Sequence, residues 1–477
     1  MSQPGPNGHK VIPIQAEPSG SAPPQFDPGR KLYPRSVQGL FARWRWGMVF
    51  LTQLVFYGVP WLQWGERQAV LFDLETRRFF LFGLVLYPQD LIYLTGLLVI
   101  SALALFLFTA VAGRLWCGYS CPQTVYSEIF MWIERKTEGD RAARMRLDSG
   151  PWNLNKVWRK SAKQFLWVAV AFWTGFTFVG YFTPIQVLAR EFIATNLGPW
   201  ETFWVFFYGF ATYGNAGFLR ERICIHMCPY ARFQSAMFDR DTLIVTYDQE
   251  RGEPRGARSK KADPAKLELG DCVDCTLCVQ VCPTGIDIRN GLQYQCIGCG
   301  ACIDVCDTVM DKVGYSKGLI RYSTENAIEH HWSSREVLAH VMRPRVLVYS
   351  GIILAITLAM LLSLSLRTPF KVDVVRDRGV MARIAEGGLY ENVYRIQIMN
   401  ASEKTQHYTL TASGIPGLRV NPATPIEVKP AESRWVVVQL QASPDATPPG
   451  TTKVVIDVAL DGTEHKVTEK TVFMAPR

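Results

Sequence analysis

The sequence predicts a multi-domain membrane protein in which an α-helical transmembrane bundle of five spans carries a cysteine-rich module on one side and a β-sandwich on the other. Three observations predict it. Eight cysteines fall as two C-x2-C-x2-C-x3-C runs between Cys272 and Cys306. Five uncharged stretches approach or exceed the roughly 20 residues that a helix needs to cross hydrocarbon. Beyond residue 366 the chain alternates short apolar and polar stretches with strand periodicity. Composition agrees: 48% hydrophobic residues are too many for an ordinary soluble enzyme, and 19% charged residues are too many for a chain wholly in lipid. The net charge of +9 sits on particular loops beside apolar segments, so it reads as membrane-orienting charge and not as a nucleic-acid surface.

Residues 1–45 are rich in proline, glycine and polar side chains and lack the apolar core of a signal peptide, which predicts a disordered, uncleaved cytoplasmic tail. Region 46–220 carries four spans: Trp46 to Gly65, Leu91 to Gly113, Gln164 to Ala189 and Thr202 to Leu219. Tryptophans at positions 46, 61, 64, 116, 200 and 204 suit interfacial anchors. The run Phe79 to Gln89 contains Pro88 and is too short to span, so an interfacial or re-entrant segment is expected. Orientation follows from loop charge. The segment 113–163 carries ten Arg and Lys residues, from Arg114 to Lys163, whereas 182–201 carries only Arg190. The first loop is therefore placed on the cytoplasmic side and the second outside. Arg67, Arg77 and Arg78 run against this rule.

Alternation then places region 221–345 in the cytoplasm, a fifth span at 346–366, and 367–477 in the periplasm. Within the cytoplasmic region, 265–315 forms a two-cluster ferredoxin module. Three thiolates of one short run reach three corners of a cubane, and the fourth serves the neighbouring cluster. One 4Fe-4S cluster is thus assigned to Cys272, Cys275, Cys278 and Cys306, and the other to Cys282, Cys296, Cys299 and Cys302. Structural zinc knuckles have no need of the third cysteine in each run. The stretch resembles a bacterial two-cluster ferredoxin, with Asp307 where the second run would carry proline. Region 367–477 predicts an immunoglobulin-like β-sandwich, with strands such as Val393 to Met399 and Lys453 to Leu460. It contains no cysteine, so no disulfide holds it.

The remaining four of the twelve cysteines form a repeated unit, Cys117-Gly-Tyr-Ser-Cys121-Pro122 and Cys224-Ile-His-Met-Cys228-Pro229. Each follows the cytoplasmic end of a predicted span, has arginine nearby and is followed by an aromatic at the same offset, Tyr126 and Phe233. Proline favours the first helical position, which makes Cys121 and Cys228 N-cap residues, where a helix dipole favours thiolate. Two such pairs can hold Cu(I), exchange electrons as thiol and disulfide, or ligate a further cofactor; the bland reading is four buried small residues. Cys117, Cys121, Cys224 and Cys228 are therefore candidates for a catalytic and copper-binding role. His226 and Met227 are not expected as obligatory ligands, since the first unit has Tyr119 and Ser120 there.

The order of these hairpins, the segment Tyr247-Asp248-Gln249-Glu250-Arg251-Gly252-Glu253-Pro254-Arg255-Gly256, the paired cluster runs, the single following span and the sandwich tail resembles the CcoG family of cytochrome c oxidase accessory proteins, also called FixG or RdxA. The resemblance covers almost the whole chain. It implies an inner-membrane iron–sulfur protein needed for maturation of the cbb-type oxidase, acting as a cupric reductase that supplies Cu(I), with assembly factors or oxidase subunits as partners. Two rival functions stay open: a relay of the NapH type, drawing electrons from quinol for a reductase, and a copper chaperone that reduces nothing. NapH-type proteins lack the long sandwich tail. The roles of the sandwich and of segment 247–256 stay open as well.

Overall fold

A computed structural model describes residues 31–258, 268–377, 382–385 and 387–476. The expected disordered tail lies outside the described residues as far as residue 30; from Lys31 the chain is already tied down, a correction to the boundary at 45. Lys31 and Tyr33 both reach the Asp148 carboxylate, at 2.8 and 2.6 Å, and the Arg35 amide donates to the Gln280 carbonyl at 2.8 Å. The first helix, Leu40–Gly58, begins where the Phe41 and Ala42 amides donate to the Asp304 carboxylate at 3.1 and 2.7 Å. Orphan amides at a helix start need an acceptor, and a carboxylate there also meets the positive end of the dipole. Gly39 leaves room for it: a Cβ would lie 2.3 Å from Asp304.

Among the described residues, three helices are long and apolar enough to cross a membrane: Pro88–Ala112, Leu154–Val179 and Pro344–Ser365. They correspond to the second, third and fifth expected spans. Other boundaries move. The first stretch begins at Leu40 and leaves the helix after Gly58, with Gln63 and Trp64 already in a strand. The third ends at Val179, because residues 180–184 turn and Pro184 precedes a separate helix, Ile185–Ile193. The fourth is a 14-residue helix, Pro199–Thr212, continued to Leu219 by wide π-helical turns. Leu154–Val179 and Pro199–Thr212 approach through small residues, since a Cβ on Gly175 would lie 2.3 Å from the Val205 carbonyl oxygen.

The chain divides into two compact units, Met1–Trp61 with Thr95–Thr357, and Leu62–Leu94 with Leu358–Arg477. In the first, the cysteine-rich region hangs on a two-stranded antiparallel ladder, Ile244–Tyr247 with Ile320–Ser323, and on the helix Ala301–Val313. Nearby, Glu134 is buried between Arg144 and Arg220, at 2.7 Å from each. Burial alone would push its carboxyl up, but the two guanidinium groups outweigh it and hold the carboxyl below its usual range.

The second unit is a sandwich of a five-stranded and a four-stranded antiparallel sheet. Its strands bury every second residue: along Gly450–Leu460, Val454, Ile456, Val458 and Leu460 face the core with Phe370, Tyr394, Tyr408 and Phe473. Each fully buried large apolar side chain contributes about 1.5–3 kcal/mol, which is how the fold dispenses with a disulfide. Segment 79–89 corrects the sequence expectation. It belongs to a three-stranded meander, Val70–Asp73, Arg78–Leu81 and Leu84–Leu86. Its inward residues Leu71, Phe80, Val85 and Tyr87 pack on Met399 and Ala431 of the sandwich. Two of the arginines against the charge rule have local work there: Arg67 lies 4.4 Å over the Phe80 ring and pairs with Glu403 at 2.5 Å, and Arg78 donates to the Ala431 carbonyl.

Candidate functional site

The two cysteine runs interleave around two cavities. One is lined by Cys272, Cys275, Cys278 and Cys306, with Tyr247, Arg289, Val309 and Met310. The other is lined by Cys282, Cys296, Cys299 and Cys302, with Cys278 on their shared wall. The exchange of fourth cysteines has a local cause. Cys282 ends the short helix Leu277–Val281, while Cys306 lies within Ala301–Val313, and these helices pack against each other, so each carries its run's last cysteine across. Gly298 and Gly300 sit at φ of 63° and 70°, where a side chain is disfavoured, and the Gly298 amide donates to Cys296 Sγ at 3.4 Å.

No histidine or carboxylate lines either cavity. Burial pushes the Cys278 thiol up to about 11 and those of Cys296 and Cys306 to about 12. Such thiols become ligands only when a cation takes the proton's place, and an all-sulfur set is among those that suit iron–sulfur clusters. Among the described residues no three His, Cys, Asp or Glu side chains converge closely enough for a single metal ion. That spacing suits a cluster, whose thiolates each bind a different iron.

Segment 247–256 buckles the first run in place. Asp248 caps the turn Gln249–Gly252 and pairs with Arg321 at 2.9 Å, while Arg251 pairs with Asp271 at 2.5 Å. The Gly256 amide donates to the Cys272 carbonyl at 3.2 Å. Gly252 and Gly270 touch backbone to backbone, with a Cβ on Gly270 only 2.5 Å from Gly252 C.

The C-x3-C-P units come together beside the second cavity. Cys121 and Cys228 are N-caps of the helices Pro122–Glu138 and Pro229–Met237, as expected from the prolines. The four thiols lie close enough to interact electrostatically, Cys224 with each of the other three. At Cys121 burial outweighs the backbone N–H donors and pushes the thiol up, contrary to the expectation of a favoured thiolate there; burial likewise pushes Cys117 up to about 11 and Cys224 up to about 12, and Arg114 offsets this only in part. The repeat is also imperfect. The first unit enters by an α-helical turn, Leu115–Tyr119, and the second by wide π-helical turns, Ile223–Met227. Tyr126 is partly buried in the helix bundle, whereas Phe233 is 66% exposed. His226 and Met227 are exposed.

Sequence reasoning missed the residues that join this quartet to the second cavity. Cys117 packs against the buried cluster that includes Ile297 and Cys299, and its thiol lies 3.4 Å from Gln234 Oε1. A Cβ on Gly118 would lie 2.8 Å from the Gly298 carbonyl oxygen. Arg114 donates to the carbonyls of Tyr294, Ala231 and Cys296, the last at 3.3 Å. Tyr322 donates to the Gly298 carbonyl at 2.6 Å and meets Tyr119 at 3.3 Å. The sequence signal for these residues was only their proximity to cysteines.

Comparison with known proteins places these features in context. Residues 219–325 match the family described as a 4Fe-4S dicluster domain, 94–138 a 4Fe-4S binding domain, and 360–476 the IG-like fold at the C-terminal of FixG. The chain is 38% identical over 424 residues to "Nitrogen fixation protein FixG" of Rhizobium meliloti, covering 82% of this chain and 81% of that one. It is 38% identical over 414 residues to "Protein RdxB" of Cereibacter sphaeroides, covering 84% and 87%. To "Protein RdxA" of the same organism it is 36% identical over 439 residues, covering 90% and 92%.

Proposed function

The chain belongs to the FixG family of iron–sulfur electron-transfer proteins, and from that premise we propose that it is an inner-membrane cupric reductase that supplies Cu(I) for assembly of a cbb-type oxidase. The observation that carries this reading is the packing of Cys117 against the buried cluster that holds Ile297 and Cys299, which sets the first C-x3-C-P unit beside the second cavity. When bound, 4Fe-4S clusters supply one-electron carriers a short distance from these thiols. Cys272, Cys275, Cys278 and Cys306 hold one, and Cys282, Cys296, Cys299 and Cys302 the other. Cys117, Cys121, Cys224 and Cys228 bind the copper substrate; soft thiolates prefer Cu(I) over Cu(II), so binding there favours reduction. The raised thiols give up their protons as the metal enters. Copper, oxidase assembly factors or subunits, and membrane lipid are the proposed partners, with the cysteine-rich module in the cytoplasm, five spans, and the sandwich in the periplasm.

A second reading has a specific observation behind it. The match of residues 94–138 to a 4Fe-4S binding domain includes only two cysteines, Cys117 and Cys121. On this reading the quartet is the seat of a third cluster. One preparation separates the readings: anaerobic purification with iron, sulfide and copper analysis beside a Cu(II) reduction assay. Eight iron atoms per chain with copper-dependent oxidation of the reduced protein supports the first; about twelve iron atoms, by cubane stoichiometry, and no copper turnover supports the second.

A further inference from the structure

The two cavities differ in the charge that surrounds them. Beside the second lie two buried guanidinium groups. Arg114 donates to the carbonyl of Cys296, and its backbone lies 3.2 Å from where a Gly298 Cβ would stand. Arg45, 8% exposed, borders the same loop on its other flank, in a cavity it shares with Ile297, Pro283 and Thr284, and it interacts electrostatically with Cys299. The Nε–H groups of both arginines are buried with no hydrogen-bond partner. Two carboxylates stand near Arg45, and each is engaged elsewhere: Glu128 pairs with Arg135 at 3.3 Å, and Asp304 accepts the Phe41 and Ala42 amides.

The first cavity has one guanidinium, Arg289, and it is saturated. Arg289 pairs with Asp274 at 2.5 Å and with Asp287 at 2.6 Å, and its Nε donates to Asp287 at 2.8 Å. A third carboxylate, Asp307, acts on Cys306. The guanidinium groups beside the second cavity thus keep unpartnered Nε–H groups among the described residues, whereas the one that lines the first is spent on two carboxylates.

We infer that Arg45 and Arg114 give the cluster of the second cavity, the one beside Cys117, the higher reduction potential of the two. The inference rests on the reading that both cavities hold 4Fe-4S clusters. Reduction of a cubane adds one electron and no proton, so nearby positive charge stabilises the reduced form, and it does so more strongly when water is excluded. The gradient directs electrons toward the side where the thiol quartet sits.

The test is a redox titration of the full-length protein in detergent, with dithionite as electron donor and electron paramagnetic resonance as readout. The Cys275→Ala and Cys299→Ala variants assign each signal to its cavity. Iron and sulfide analysis comes first: fewer than two clusters per chain would refute the underlying reading, not the charge argument. With both clusters present, the second cavity's signal is expected to titrate at the higher potential. Arg114→Gln and Arg45→Gln each lower it so that the reduced-to-oxidised ratio at the parent midpoint falls about tenfold, ~59 mV for one electron. Arg114→Lys keeps the charge and retains most of the potential. The first signal stays put in all three. A second-cavity signal that titrates below the first in the parent, or an Arg114→Gln shift equal in both signals, overturns the inference. If neither arginine variant accumulates, the order of the two potentials in the parent decides alone.

Discussion

Gly118 and Gly298 meet with no room for a side chain between them: a Cβ on Gly118 would stand 2.8 Å from the Gly298 carbonyl oxygen and 2.9 Å from Cys299 Cα. This contact seats the first C-x3-C-P unit on the loop of the second cavity. Gly118→Ala must therefore push the two apart. The expected cost is about 1–3 kcal/mol, as for other overpacked sites, with the second cluster's spectrum perturbed and the first unchanged. Thermal unfolding and electron paramagnetic resonance of the purified variant check both; an unperturbed second-cluster signal would show that the contact is incidental.

Crossed cysteines give a second prediction. Cys282 lines the second cavity and Cys306 the first, although each belongs by sequence to the other run. Cys282→Ala is expected to remove or convert the cluster of Cys296, Cys299 and Cys302, and Cys306→Ala the other. Loss confined to the cluster of the substituted residue's own run, seen by spectroscopy, would refute the assignment.

Serine at Cys117, Cys121, Cys224 and Cys228 together is expected to abolish Cu(II) reduction while leaving the iron content at eight atoms per chain, the stoichiometry of two cubanes. A fall in iron by a third from the parent value would instead mark the quartet as a cluster site. Reduction at the parent rate would remove the quartet from the reaction altogether.

Glu134, buried between Arg144 and Arg220, supplies a pH-dependent contribution. Its folded pKa is depressed, so its stabilisation is present above the ordinary glutamate value of ~4.3 and is lost as pH falls through the lower folded value. Glu134→Gln leaves two buried cations without their shared partner and is expected to cost about 3–5 kcal/mol at neutral pH. Denaturant titration at pH 7 and at pH values stepped well below ~4.3 measures the cost and its loss on acidification; equal stability of variant and parent at pH 7 would mean that water or other groups satisfy the arginines.

Asp90 opens the helix Leu91–Ala112 and pairs with Arg367, just past Pro344–Ser365, at 2.6 Å, and with Lys371 at 2.5 Å. These salt bridges tie together the ends of two apolar helices. A reporter fused after Lys160 is expected to be active only in the cytoplasm, and one after Ala475 only outside. Asp90→Asn should raise the protease sensitivity of residues 62–94 without changing either reporter. Activity of both reporters on one side would remove the fifth span.

The sequence by itself determined which residues carry chemistry, because cysteine spacing is a local property. A thiolate's reach to a cubane is set over three or four residues, and so is the cap that Cys121 and Cys228 place before a proline. Strand periodicity in the sandwich and the long apolar helices were legible for the same reason. What the tertiary structure decided was which segments meet. Residues 79–89 look like a short membrane-seeking run until the meander buries Phe80 and Val85 against Met399 and Ala431. Lys31 to Gly39 look like tail until Asp148 and Gln280 receive them. Arginines expected to favour thiolate at the N-cap cysteines spend their donors on carbonyls and on Glu134, and burial pushes the Cys121 thiol up instead. Desolvation and contact between distant segments depend on the whole packing, and no window of sequence contains them.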